Sequence, residues 1–591
     1  MARWSKLAGV GVVVASGALL ALACGSEQRA RFSEPPPDAA TETGPAGYAE
    51  GGARFDPCDS KTLSDARSVA GCHFFMTAST WIPQNDWVPK GCYALLVSNP
   101  SSSPASLRLR FKSRREPDAR EANAAPYTAQ AIVSGRDVQY VPLPGGLLQP
   151  GASAVVSAMF APYDDNDPPF GRGSYCPTKA FVESFEPAAR DELVTPAIEL
   201  LSDVPVIASQ VSAYVLDARH HESMPVSPYA LFPAHLWDED AVETGIYKPG
   251  LPATIPAREA PLETWPGRTF ALAAFDDTHV LLPTLEGTPR EITLQRGDAF
   301  SHTTNDSFAG RSVASDKPIG LITFAPHTFI DWTFQHEMDG ADSQRSYSMA
   351  LPSSLWGSEY VAARHADRWK DLPEAPLWRI IGGADDTLLD YDPYRPDGAP
   401  DRVAKGELAV FFADAPFVVR SQDDKHPFYF SQSMTGSRFH LDRSGGIIDD
   451  EYRQRGSAVT VHQIAISRWH DRYPFFAPMD FADHGLVLVR PRGGPDVRLD
   501  CAGTISGWQP VGDHFEYARV PLTGHLYEPI AYPSGTCQAG AHWVESDGPF
   551  SGTLWGWGNS DTYHELGKAT AMAYALPLLG ADDLPSPPST N

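Results

Sequence analysis

The chain has 591 residues, 42% hydrophobic and 20% charged, which is too long for one ordinary core and too apolar for wholesale disorder. Its 47 Lys and Arg stand against 73 Asp and Glu, a formal net charge of -26 that repels phosphate backbones, and no basic run with interleaved aromatics offsets it. Several packed modules are expected, and nucleic acid is excluded as a partner.

The amino terminus reads as an export signal. Arg3 and Lys6 precede an apolar segment from Leu7 to Ala23, short for a bilayer span and interrupted by Gly and Ser. Ala21-Leu-Ala-Cys24 resembles a lipobox, although Leu and the small residue are exchanged relative to the usual order. The expectation is cleavage after residue 23, lipidation of Cys24 and anchoring in the outer membrane, since Gly25-Ser26 lacks the Asp that retains lipoproteins at the inner one. A simple secretory signal is the alternative. Residues 24–55, rich in Pro, Ala, Glu, Thr and Gly, read as a flexible tether with a root-mean-square reach of about 30 Å.

Removing Cys24 leaves Cys58, Cys72, Cys92, Cys176, Cys501 and Cys537, an even set suited to disulfides in an exported protein. Cys501 and Cys537 stand alone in the C-terminal region and form one expected pair. The other four allow three pairings, of which Cys58–Cys72 with Cys92–Cys176 is preferred. None has the CxxC spacing of a zinc or redox site.

Further along, short apolar runs are cut by Gly, Pro or Asp-Asp, the strand-and-turn signature. Residues 56–200 read as a first β module. Tyr93–Val97 and Val155–Phe160 are strands, Leu107-Arg-Leu-Arg-Phe111 has one wet face, and Phe181 to Leu193 is a short helix or a loop. Residues 201–436 carry an internal echo. Ser202-Asp-Val-Pro, Ser315-Asp-Lys-Pro and Ala413-Asp-Ala-Pro each lead into a hydrophobic strand, and Phe232-Pro-Ala-His-Leu-Trp237 echoes Leu351-Pro-Ser-Ser-Leu-Trp356. A polar connection follows over 437–458, then a disulfide-containing β module over 459–579 and an unstructured tail over 580–591. The fold class is all-β: tandem β-sandwich-like modules with internal repeats behind a lipoprotein signal and tether.

The run Leu355-Trp-Gly-Ser-Glu-Tyr-Val361, Trp378 to Thr387, Gly406-Glu-Leu, Ala413-Asp-Ala-Pro416 and Ser431 to Gly436 resembles the IgG Fc-binding protein N-terminal domain family. Similarity extends from about Leu200 to the Val544–Trp557 region. The family includes bacterial surface lipoproteins and the amino-terminal part of an animal mucus protein. The resemblance implies an extracellular, β-rich adhesive or recognition module, without carrying immunoglobulin binding itself over to a bacterial member.

Catalytic patterns are weak. No G-x-S-x-G is present, and Gly503-Thr-Ile-Ser-Gly507 has its Ser one place late. The pairs His221-Glu222, His336-Glu337 and His564-Glu565 lack the second His of a zinc peptidase. No catalytic residue or obligatory cofactor is assigned. Calcium ligands, if present, would come from Asp164, Asp165 and Asp167 or from Asp390 and Asp392, although neither group fits an EF-hand loop and solvated acidic turns are the plainer reading. Most Trp residues read as core rather than as a sugar platform. Tyr391 and Tyr394, set among acidic residues and prolines, are the candidates for partner contact. The expected role is an outer-membrane or cell-surface binding protein for a protein, glycan or matrix component, not an enzyme. The alternatives are a hydrolase with scattered carboxylates and a structural envelope component.

Overall fold

The computed structural model describes residues 56–77, 91–113, 118–162, 175–183, 194–212, 226–245, 267–283, 289–304, 309–328, 330, 339–341, 344–368, 374–436, 438–440, 455–479, 481–524, 527–558 and 573–581. All lie in the unit Ala53–Asn591; the unit Met1–Gly52, with Cys24 and the signal, falls outside the described residues. The tether and most of the tail fall outside as well, as do Asp164, Asp165 and Asp167 and most of the stretch after Phe181.

Apart from Ser60–Ala66, capped by the Asp59 carboxylate on Thr62 N, and a few 3-10 turns, the regular structure is antiparallel β. One arrangement occurs four times. Repeat three shows it in two separate sheets. The first holds, in spatial order, Glu359–Ala362, Phe417–Ser421, Thr387–Asp392 and Arg402–Val403. The second holds Leu408–Phe412, Leu377–Gly382, Phe428–Ser433 and Thr460–His462. Alternating residues of both sheets turn inward onto Tyr360, Trp378, Phe411, Phe417 and Phe430, a sandwich core.

In the other repeats the two strands shared between sheets fuse into one long bent strand: Ile198–Ser212 in repeat one, Ser312–Thr328 in repeat two and Gly540–Trp557 in repeat four. The first half of each pairs in one sheet and the second half in the other, for example Ser312 to Ala314 with Asp240 to Val242, then Ile322 to Ala325 with Ser346 to Met349. The bend falls at the Asp-x-Pro sequences. Pro has no ladder donor there, and the Asp carboxylate pins the start of a neighbouring strand: Asp203 Oδ1 accepts from Ser106 N and Asp316 Oδ1 from His279 N, both at 2.7 Å.

Ala413-Asp-Ala-Pro416 does not occupy this place. It connects Leu408–Phe412 to Phe417–Ser421, crossing from one sheet to the other. The structural counterpart in repeat three is the longer turn Ser421 to Pro427, where Gln422 Oε1 accepts from Leu388 N at 2.9 Å. Ser546-Asp-Gly-Pro549 is the counterpart in repeat four, within Gly540–Trp557.

Between repeats the chain makes a 3-10 turn ending in Trp: Ala234–Leu236 before Trp237, Ser353–Leu355 before Trp356 and Ile466–Arg468 before Trp469. Each indole N–H donates to the carbonyl five residues earlier, Phe232 at 2.9 Å, Leu351 at 3.0 Å and Ile464 at 3.2 Å. These turns set the breaks between repeats. Thr460–His462 accordingly completes repeat three, and Ile198–Ser212 belongs to repeat one.

The last strands of the four repeats meet. Val226–Leu231 packs beside Gln344–Met349 and Ala573–Pro577, and Thr460–His462 beside Ala573–Pro577. Ser227 Oγ donates to Ala573 O at 2.6 Å, and His462 Nε2 lies 2.8 Å from Met349 O. Buried polar groups near these junctions are satisfied across repeats. Arg379, fully buried, donates from Nη2 to Thr244 O at 3.0 Å and from Nη1 to Gly245 O. Repeat four also returns to repeat one: Phe476 packs with Ala94, Leu96 and Val155, and Gln538 Nε2 donates to Val133 O at 2.7 Å. The four repeats therefore close into a cycle, with the last against the first.

Candidate binding surface

The first sheet of repeat three and the loop after its strand Thr387–Asp392 hold the contact and acidic candidates that lie among the described residues. Along Thr387–Asp392 the side chains alternate, so Thr387 and Leu389 are buried while Leu388 and Asp390 face out. The strand starts from a tight turn in which Asp386 has φ 55 and Thr387 Oγ1 donates to Ala384 O at 2.8 Å. Repeat two repeats this device, with Asp277 at φ 50 and Thr278 Oγ1 on Phe275 O at 2.9 Å. The short polar Asp tolerates the left-handed region at this step.

Across the sheet, register sets Arg420 opposite both Glu359 and Asp390. Its guanidinium lies 3.9 Å from Glu359 Oε1 and 3.1 Å from Asp390 Oδ2, and Arg402 adds a second pair with Asp386 at 3.3 Å. These are solvated cross-strand pairs, each worth under about 1 kcal/mol, so they order the face more than they stabilise it. Beside them Leu388 is 45% exposed, a large aliphatic side chain on an otherwise charged strip.

The loop after the strand holds the two tyrosines differently. Tyr391 is half-buried: its ring packs on the core near Phe417 and its hydroxyl donates to Pro400 O at 2.7 Å. Burial raises its pKa, so it stays a neutral donor. Its expected place on an exposed loop is thus only partly realised, because the ring fills space over the sandwich core. Tyr394 remains 37% exposed, with its hydroxyl on Ala415 O at 3.0 Å and its ring edge toward Phe417. Both rings are fixed before any partner arrives, which lowers the ordering cost of contact.

Asp390 and Asp392 are engaged separately. Asp390 pairs with Arg420, and Asp392 Oδ2 accepts from Asp513 N of repeat four at 3.2 Å. The disulfides join Cys58 to Cys72, Cys92 to Cys176 and Cys501 to Cys537. Near the last, Asp500 and His542 lie 3.0 Å apart beside Cys501, but a sulfur held in a disulfide offers no thiolate to a metal. A pocket of about 50 Å³ lies where linkers and the C-terminal strand end meet, lined by Arg67, Leu355, Trp469, His470 and Leu579, with room for water rather than for a sugar ring.

Sequence reading found Tyr391, Tyr394, Asp390 and Asp392. It missed Glu359, Arg420 and Leu388, which join them only through strand register. The alternation of Leu388 and Asp390 with Thr387 and Leu389 was the available signal.

A mixed-charge strip with one aliphatic and one aromatic side chain exposed is suited to contact with another protein. No curated protein and no solved structure matches the chain. A family model described as IgGFc binding protein matches residues 270–556, beginning later than the Leu200 region where the motifs first show likeness. The match includes the whole of repeat three with this face, and over that stretch the chain is similar to the IgGFc-binding protein family.

Proposed function

We propose that this chain is a lipid-anchored surface protein that recognises an extracellular protein through the outer face of repeat three. The observation that carries the reading is the coincidence of the family match over residues 270–556 with the rigid strip of Leu388, Asp390, Arg420 and Tyr394. The lipobox-like Ala21-Leu-Ala-Cys24 supports anchoring at the outer membrane, and residues 24–55 give the body reach from the lipid surface. Disulfides suit an oxidising, extracellular setting.

The test is a surface-capture assay with the full chain immobilised and candidate extracellular proteins, the Fc fragment of IgG among them, passed over it. A specific partner whose capture falls for Tyr394→Ala and Leu388→Asp, at unchanged melting temperature, supports the reading. Capture unaffected by both variants moves the site elsewhere. Mass spectrometry of the mature amino terminus tests the anchor: an unacylated terminus near Ala23 would leave a secreted protein instead.

A further inference from the structure

The outermost strands of the second sheets differ in what lies along their free edge. In repeat one Ser153–Ala161 carries Thr128–Ser134 there, with Thr128 opposite Val156. In repeat two Asp298–Thr304 carries Val194–Pro196, a segment contributed by the chain just before the long strand of repeat one. In repeat four Phe515–Pro521 carries Gln509–Val511. In repeat three, among the described residues, Leu408–Phe412 pairs on one side only, with Leu377–Gly382. The described residues of repeat two do not supply the missing strand, although Gly310 lies against Gly406, just before Leu408–Phe412. Gly310, two residues before its long strand as Pro196 is, donates instead to Glu243 O at 2.7 Å.

Register fixes which backbone groups this edge presents. Ala413 N donates to Pro376 O and Gly382 N to Glu407 O, so residues 407, 409, 411 and 413 face the neighbouring strand. By alternation the N–H and C=O of Leu408, Val410 and Phe412 point outward. The strand, Leu-Ala-Val-Phe-Phe, carries no Lys, Pro or bulge, the devices that protect a free edge. Its sequence is also self-complementary: antiparallel pairing about Val410 sets Leu408 opposite Phe412 and Ala409 opposite Phe411.

We propose that Leu408–Phe412 pairs antiparallel with the same strand of a second copy of this chain, about a two-fold axis at Val410, joining two repeat-three sheets into one. The precedent is internal, since Val194–Pro196 already adds to the equivalent edge of repeat two as a separate segment. The charged strip proposed for partner binding lies on the other sheet of the sandwich, so the two roles are separable.

Sedimentation equilibrium of the full chain tests this. A concentration-dependent dimer is expected, and Val410→Pro, which removes an outward N–H from each copy, should weaken it at least about tenfold. Because that variant could disturb folding, hydrogen exchange of the unaltered chain gives a second measurement. The amides of Leu408, Val410 and Phe412 should exchange more slowly at dimer-forming concentrations than in the dilute monomer. A chain that stays monomeric to its solubility limit, or a dimer indifferent to Val410→Pro and without that added protection, overturns the proposal.

Discussion

The indole of Trp543 in repeat four lies over Gly151 of repeat one, so close that a Cβ at position 151 would meet Cζ2 at 2.2 Å. Gly151 has φ +78, a conformation that L side chains rarely adopt. The same turn recurs at Gly297 of repeat two, against Glu199 of repeat one, where Arg296 Nε reaches Glu199 Oε2 at 3.0 Å. The last junction of the cycle is thus built like an internal one, although the two repeats it joins are the most distant in sequence.

Gly151→Ala should therefore destabilise the whole body and not only one loop. Strain and overpacking together predict a loss of about 1–3 kcal/mol, read as a lower denaturation midpoint. Trp543→Ala, which also removes the ring beneath Arg472 at 4.0 Å, should relieve part of the penalty in the double variant, as expected for residues in contact.

A second prediction concerns a buried charge. Glu374 accepts from Arg368 Nε at 3.0 Å and from Thr435 Oγ1 at 2.7 Å, with His365 at 3.1 Å. Burial opposes its ionisation, but Arg368 and His365 more than offset this and hold its pKa well below the usual carboxylate range. Glu374→Gln leaves Arg368 buried without its counter-charge and should cost about 3–5 kcal/mol by equilibrium unfolding.

Acid should destabilise the fold in two windows. Burial lowers His235 and His462 to about 4 and His484 to about 3 from an unfolded value of 6.5. Their folded pKa values are depressed, so the unfolded state takes up protons first and stability is lost as pH falls from 6.5 toward 4, and toward 3 for His484, at most about 3 kcal/mol each for His235 and His462 and about 5 kcal/mol for His484. Glu199 is lowered to about 2: burial would raise it, but hydrogen bonds from His73 and Arg296 win. It contributes stability above 4.5 that is lost as pH falls further toward 2. Denaturation midpoints across pH check this, and His484→Asn should flatten the upper window.

Loss of the Cys92–Cys176 bond, which spans a separation of 84 residues, should cost about 4.5 kcal/mol on the chain-entropy account. Comparing the melting of Cys92→Ser/Cys176→Ser with the oxidised chain measures it.

On the binding face, Leu388→Asp should change stability by no more than about 0.5 kcal/mol, because Leu388 is exposed and pairs with Arg402 only through backbone register. A larger loss, read by thermal melt, would mean that the side chain packs against something beyond the sheet.

The amino-acid sequence by itself determined that the body is β, that it repeats, and that Trp237 and Trp356 close equivalent linkers, because strand period, turn residues and Asp-x-Pro are local signals. It did not reveal Trp469 as the third such linker, since Ile464-Ala-Ile-Ser-Arg-Trp469 lacks the Pro that marks the other two while keeping the same indole-to-carbonyl bond. It also matched Ala413-Asp-Ala-Pro416 to the wrong step of repeat three, because the repeated letters were there but the strand bend had moved to Ser421–Pro427. Only the tertiary structure decided that the repeats close into a cycle, that Arg420 stands between Glu359 and Asp390, and that Leu408–Phe412, of the four equivalent strands, is the one with no neighbour on its far side among the described residues. Those are relations of register and packing between residues far apart in the chain, and no local pattern of polarity encodes them.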